Sequence, residues 1–200
     1  MKNKQQIHKM VLAAVLTAVL MILYMTPLVN IKFGILEITF MAIPVAIGAV
    51  LLGPWYGAYL GGVFGVNSLL QCLGLFGGSI TGAAMWALNP ALTILTCVVP
   101  RVLTGLLTGF IFRVVAQFDR HKFVSIVVAC ISTPVLNTFL FLSTLWICFY
   151  ANALAGNVGY IALFASCIVN ALVEIACSAL ISFAMAKTLV HLLPRMGIKV

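Results

Sequence analysis

Gly57, Gly61 and Gly65 recur every four residues in the stretch 54–67, in phase with Gly53. On a helix such spacing leaves one ridge without side chains, so a second helix can approach backbone to backbone. Close packing of this kind holds helices together where lipid supplies no hydrophobic drive between them. Asn67, Ser68 and Gln71 follow at the far end of the same stretch. The reading is a tightly packed central helix with a polar tip.

The surroundings of that helix are apolar throughout. Of the 200 residues 64% are hydrophobic and 7% charged, too few polar groups to cover a water-facing surface. A hydrocarbon core takes roughly 20 residues per helix, so about six spans fit with short loops. The expected spans are 10–26, 38–52, 55–73, 90–112, 123–150 and 160–190, forming one transmembrane domain over 1–200. The first imitates a secretory signal, but it runs into Thr26-Pro27 without a small-residue cleavage site and is kept as a span. Pro44 inside the second predicts a kink. Asn89-Pro90 reads as a helix start, because proline suits the first turn. Residues 28–37 and 113–122 are expected to be loops, and the conformation of 73–89 is left open.

Lysine and arginine positions fix the orientation. With the N-terminus inside, Lys2, Lys4, Lys9, Arg113, Arg120, Lys122, Lys187, Arg195 and Lys199 are cytoplasmic and only Lys32 is outside. Nine against one places both termini in the cytoplasm and supports an even number of spans. The net charge of +8 therefore serves topology, and nucleic acid is not a partner, because the basic residues form no patch. The fold class is an all-α integral membrane protein with six transmembrane helices, expected in the plasma membrane of a bacterial cell.

Two ionisable residues remain at mid-depth, Arg101 on the fourth span and Glu174 on the sixth. An isolated charge there costs at least about 2–3 kcal/mol. Either the pair forms a permanent salt bridge between the two spans, or one or both face a cavity and meet a ligand group such as a carboxylate. Pro100 loosens the helix beside Arg101. Asn67, Gln71, Asn89, Asn137 and Asn170 supply amides on four spans, as interhelical glue or as ligand contacts. Asn170 and Glu174 share a face. Trp86 and Trp146 lie near the outer interface, as anchors or as cavity lining.

The six cysteines lie in apolar segments without metal-ligand spacing and read as small buried hydrophobes, so neither metal nor cofactor is expected. With three acidic residues and no Walker, HExxH or GxSxG motif, the chain holds no machinery for catalysis or ATP hydrolysis and is not expected to be an enzyme.

Residues 43–54 (IPVAIGAVLLGP), 55–65 (WYGAYLGGVFG), 100–109 (PRVLTGLLTG) and Leu136-Asn137-Thr138 together resemble the substrate-binding S components of energy-coupling factor (ECF) vitamin transporters. The likeness covers essentially the whole chain, and Ala14-Val15-Leu16-Thr17-Ala18 matches that family's small-residue motif on the first helix. The resemblance implies capture of a vitamin from outside, in a pocket roofed by the first and third loops and walled by spans four to six. It also implies that a separate transmembrane coupling protein and two ATPase subunits supply the energy, with Ala14 and Ala18 as the docking face. Within the family the chain looks most similar to pantothenate-type members. Riboflavin, thiamin, folate, a queuosine precursor and cobalamin stay open, as do a stand-alone secondary transporter using Glu174 as proton carrier and an assembly subunit without ligand.

Overall fold

The computed structural model describes residues 2–26, 30–33, 36–75, 80–119, 123–151 and 159–162, with 165, 168, 171–173, 175–177, 180, 181 and 188. Gly53 sets the course of the chain near its centre. It adopts a φ of 102°, a left-handed setting that favours glycine, and its N–H closes the preceding helix by donating to the Ala49 carbonyl at 3.2 Å. Pro54 follows at the first helical position, where its fixed φ is already helical and its missing N–H is no loss. One residue therefore separates helix α2 (Ala42–Leu52) from helix α3 (Pro54–Cys72).

Helix α1 (Lys2–Met25) comes first, and α4 (Ile80–Leu88), α5 (Pro90–Phe118) and α6 (Phe123–Leu145) follow α3. A π-helical turn, Trp146–Tyr150, extends α6, and the described residues between 160 and 181 are helical. The glycine ridge expected on the third span meets α5, which runs antiparallel to it. A Cβ on Gly57 would strike the Gly105 carbonyl, and one on Gly105 would strike that of Gly57. Gly61 faces the Arg101 carbonyl, a Cβ on Gly65 would lie 2.9 Å from the Val98 Cα, and one on Gly109 would lie 2.5 Å from the Pro54 Cα. Three helices, Gln6–Met25, Pro90–Phe118 and Phe123–Tyr150, are long and apolar enough among the described residues to cross a membrane.

On α1 the inward stripe is Ala13, Leu16, Leu20 and Tyr24, which joins a core containing Val45, Leu60, Phe64, Phe112 and Ile126. The opposite face is equally apolar, with Val11, Val15 and Ile22 all more than half exposed. A helix apolar on both faces at a protein surface has lipid as its solvent.

Several expectations need correction. The chain is not purely helical, because β1 (Asn30–Phe33) and β2 (Leu36–Thr39) form an antiparallel hairpin with Ile31 opposite Ile38 and Lys32 opposite Glu37. The hairpin takes residues 38 and 39 from the expected second span, so α2 has 11 residues. At 1.5 Å per residue that is roughly 16 Å, about half a hydrocarbon core. Nine of its residues are buried, as suits an internal helix. Pro44 does not kink it, because the later start puts proline in the first turn, where no intrahelical donor is required. Residues 113–118, expected in a loop, continue α5. The helix stops at Asp119, whose carboxylate accepts from the Ser125 N–H and hydroxyl, each at 2.9 Å, and so fastens the start of α6. Residues 80–88, left open above, are helical.

The interlock gives a graded test. Gly57→Ala and Gly105→Ala should each lower stability by roughly 1–3 kcal/mol, the scale of overpacking a filled contact. Gly62→Ala should be neutral, since a Cβ there meets only the Val102 Cγ2 at 3.7 Å. Thermal unfolding followed by size-exclusion in detergent reads the difference, and equal behaviour of the three variants would refute the interlock.

Candidate functional site

The centre of the site is Arg101, and the residue before it explains its position. Pro100 has no N–H, so the Thr96 carbonyl loses its usual partner four residues on. Helical side chains point back toward the N-terminus, and the Arg101 guanidinium does so here. Its Nη1 donates to the Thr96 carbonyl at 3.4 Å and to the Cys97 carbonyl at 2.9 Å. Helix α5 thus passes Pro100 unbroken, with the arginine replacing the proline's missing donor.

Two aromatic rings enclose the cation. The Arg101 Cζ lies 4.9 Å from the Phe64 ring centroid of α3 and 4.9 Å from that of Phe141 of α6. Both are within cation–π range, and a guanidinium suits such stacking. Asn67 sits three residues beyond Phe64, and Asn137 four residues before Phe141, so each amide shares a face with its ring. Asn67 is fully buried, and neither its Oδ1 nor its Nδ2 has a hydrogen-bond partner among the described residues. The same holds for the Asn137 Oδ1 and for the Oγ1 of Thr96, which is also fully buried. Unpaired buried polar atoms each cost about 1–3 kcal/mol and are rare in finished cores.

The structure therefore brings Asn67, Arg101 and Asn137 to facing surfaces of α3, α5 and α6, and it places other candidates elsewhere. Gln71 is buried in the last turn of α3. Asn89 is the N-cap of α5, where its Oδ1 accepts from the N–H groups of Ala91 at 3.1 Å and Leu92 at 3.3 Å. That oxygen serves the helix terminus. Trp86 lies half-buried on α4, beside Met85, which packs against Leu142, Leu145 and Phe149. Trp146 opens the π-helical turn and meets Tyr160 edge to face, with ring centroids 5.8 Å apart. Ala14 and Ala18 are exposed on α1. Asn170 and Glu174 lie outside the described residues, and with them the suggested pairing of Glu174 to Arg101.

A family model described as the substrate-specific component of ECF transporters matches residues 8–186. The chain belongs to this family. Among curated proteins none matches it. It is therefore the substrate-binding subunit of an ECF transporter and a multi-pass membrane protein.

Sequence reasoning did not single out Phe64, Phe141 or Thr96 in this S component. For Thr96 a signal was present, since it stands four residues before Pro100, where a carbonyl is released.

Two substitutions separate ligand groups from structural ones. Asn67→Leu removes polar atoms that have no partner among the described residues and should leave the ligand-free protein as stable as before, or more so. Asn89→Ala should cost about 0.5–2 kcal/mol through loss of the cap. Thermal unfolding of both variants without ligand checks this, and the opposite ranking would overturn the assignment.

Proposed function

We propose that this S component captures a small anionic vitamin, with pantothenate as the favoured substrate, and that Arg101 receives its carboxylate. The observation that carries the reading is a guanidinium held between two rings at the meeting of three helices, near buried amide and hydroxyl groups that have no hydrogen-bond partner among the described residues. Pantothenate offers a carboxylate, a central amide and two hydroxyls, which suit Arg101, Asn67, Asn137 and Thr96 in kind. The α4 segment with Trp86, together with Trp146 and Gln71, borders the outer approach under this reading. Riboflavin, thiamin, folate, a queuosine precursor and cobalamin are the competing substrates.

The chain is read as one domain of six spans with both termini inside, on the strength of the lysine and arginine distribution. It acts as a receptor without catalysis of its own and takes energy from a coupling protein and two ATPases. Docking is assigned to α1. Ala14 borders an open groove of about 390 Å³ lined by Met10, Ala13, Trp55, Tyr56 and Tyr59, and Trp55 is 73% exposed. An aromatic-edged groove beside small residues suits an apolar partner helix.

A second reading is favoured by one specific observation. The Arg101 Nη1 already bonds two backbone carbonyls, so the residue also qualifies as a patch for the proline break. Calorimetry on the purified chain with pantothenate distinguishes the two. Arg101→Ala should weaken binding more than tenfold, about 1.4 kcal/mol or more. Unchanged affinity with lowered stability would assign Arg101 to structure alone. For docking, bulky replacements of Ala14 and Ala18 should abolish uptake in cells while ligand affinity is kept, and surviving uptake would move the docking face elsewhere.

A further inference from the structure

The α3–α5 contact holds a pair of groups that substrate capture does not use. Cys72 is the last residue of α3 and Cys97 lies in the second turn of α5, and their Sγ atoms are 3.6 Å apart. Both thiols are buried, at 7% and 2% exposure. A disulfide has an S–S length of about 2.05 Å, so bond formation needs the sulfurs to close by roughly 1.5 Å. Rotation of the two side chains, with a small shift of the last turn of α3, has to supply that closure. A Cβ on Gly65 would lie 3.0 Å from the Cys97 carbonyl oxygen, the outermost contact of the glycine series. Helix α4 completes the site, since a Cβ on Gly82 would stand 2.6 Å from the Cys72 Sγ.

We propose that Cys72 and Cys97 are a reversible thiol–disulfide pair that joins α3 to α5 when a peroxide reaches them. Hydrogen peroxide is small and uncharged enough to enter an apolar contact. One sulfur, as thiolate, attacks a peroxide oxygen, the O–O bond breaks, and a sulfenic acid and one water are produced. The second sulfur then attacks the sulfenic sulfur, the S–O bond breaks, and a second water leaves. Two thiols lose two electrons and two protons in total, and the peroxide is reduced to water. The bond closes a loop over residues 73–96, which contains α4, so the seating of α4 becomes tied to redox state. Under the proposed topology this end of α3 faces the outside, where disulfides persist. That part rests on the functional reading, whereas the chemistry of the pair does not.

The test uses the full wild-type chain in lipid nanodiscs, treated with hydrogen peroxide, denatured, alkylated with N-ethylmaleimide and peptide-mapped by mass spectrometry. Alkylatable cysteines should fall from six to four, with a cross-linked peptide joining Cys72 to Cys97, and dithiothreitol should restore all six. The oxidised protein should unfold at higher temperature than the reduced one, and Cys72→Ser or Cys97→Ser should each prevent both changes. Six thiols remaining, a cross-link through other cysteines, or oxygen addition without a cross-link would each overturn the proposal. Pantothenate affinity measured on the reduced protein fails or holds independently of these outcomes.

Discussion

The approach of α3 to α5 through bare backbone is the contact on which the rest depends. In lipid, helices gain little by hiding apolar side chains from each other, so van der Waals contact over a close interface supplies the attraction. Gly57 against Gly105 is the tightest point, and the series continues through Gly61 and Gly65 on one helix and Gly109 on the other. This spacing also aligns the helices along their length. Because Gly61 rests on the Arg101 carbonyl, the side chain of Phe64, one turn on, comes over the guanidinium. The interface that stabilises the bundle therefore also sets the geometry of the candidate site.

Pro100 and Arg101 would each be a liability alone. A proline in mid-helix leaves a carbonyl without a donor, and in an apolar interior that carbonyl cannot turn to water. An arginine there brings a charge needing polar company. Placed in succession, they offset each other: the carbonyls of Thr96 and Cys97 receive the guanidinium, and the rings of Phe64 and Phe141 solvate its faces. On α6 the Thr133 hydroxyl, beside Pro134, donates to the Ala129 carbonyl at 2.8 Å and meets the Thr108 hydroxyl at 3.1 Å, which links α6 to α5.

What the residues revealed in advance was local. A glycine period of four implies a close helix contact whatever the partner, and Asn89-Pro90 implies a helix start whatever follows. Which helix meets the ridge is tertiary information, and Gly105 with Gly109 signalled only that a second such surface exists. The hairpin at 30–39 escaped notice because Asn30, Lys32, Gly34 and Glu37 resemble a loop, and only the cross-strand register pairs Ile31 with Ile38. That miss then produced another, since moving the start of α2 decided whether Pro44 kinks a helix or merely begins one. In the site, Arg101 and the asparagines stood out because polar residues are scarce in this chain. Phe64 and Phe141 did not, because 13 phenylalanines look alike until one is found over a cation.

Polar groups without partners among the described residues bear on whether this bundle is a receptor or a permanent brace. A bundle that needed only a staple between helices would gain by pairing its buried amides, since an interhelical hydrogen bond contributes while an orphaned one costs. Here Asn67 on α3, Thr96 on α5 and Asn137 on α6 each carry a buried polar atom without a hydrogen bond among the described residues. These residues hold four such atoms on three adjoining helices, a burden on the empty protein that, under the proposed function, a guest bonding to them relieves. Stability then rises with ligand occupancy, by RT ln(1 + [L]/Kd) for a single site. If the ligand sits there, a subunit that hands its cargo to an energising partner gains from that dependence, because a filled site would hold α3, α5 and α6 more firmly together than an empty one.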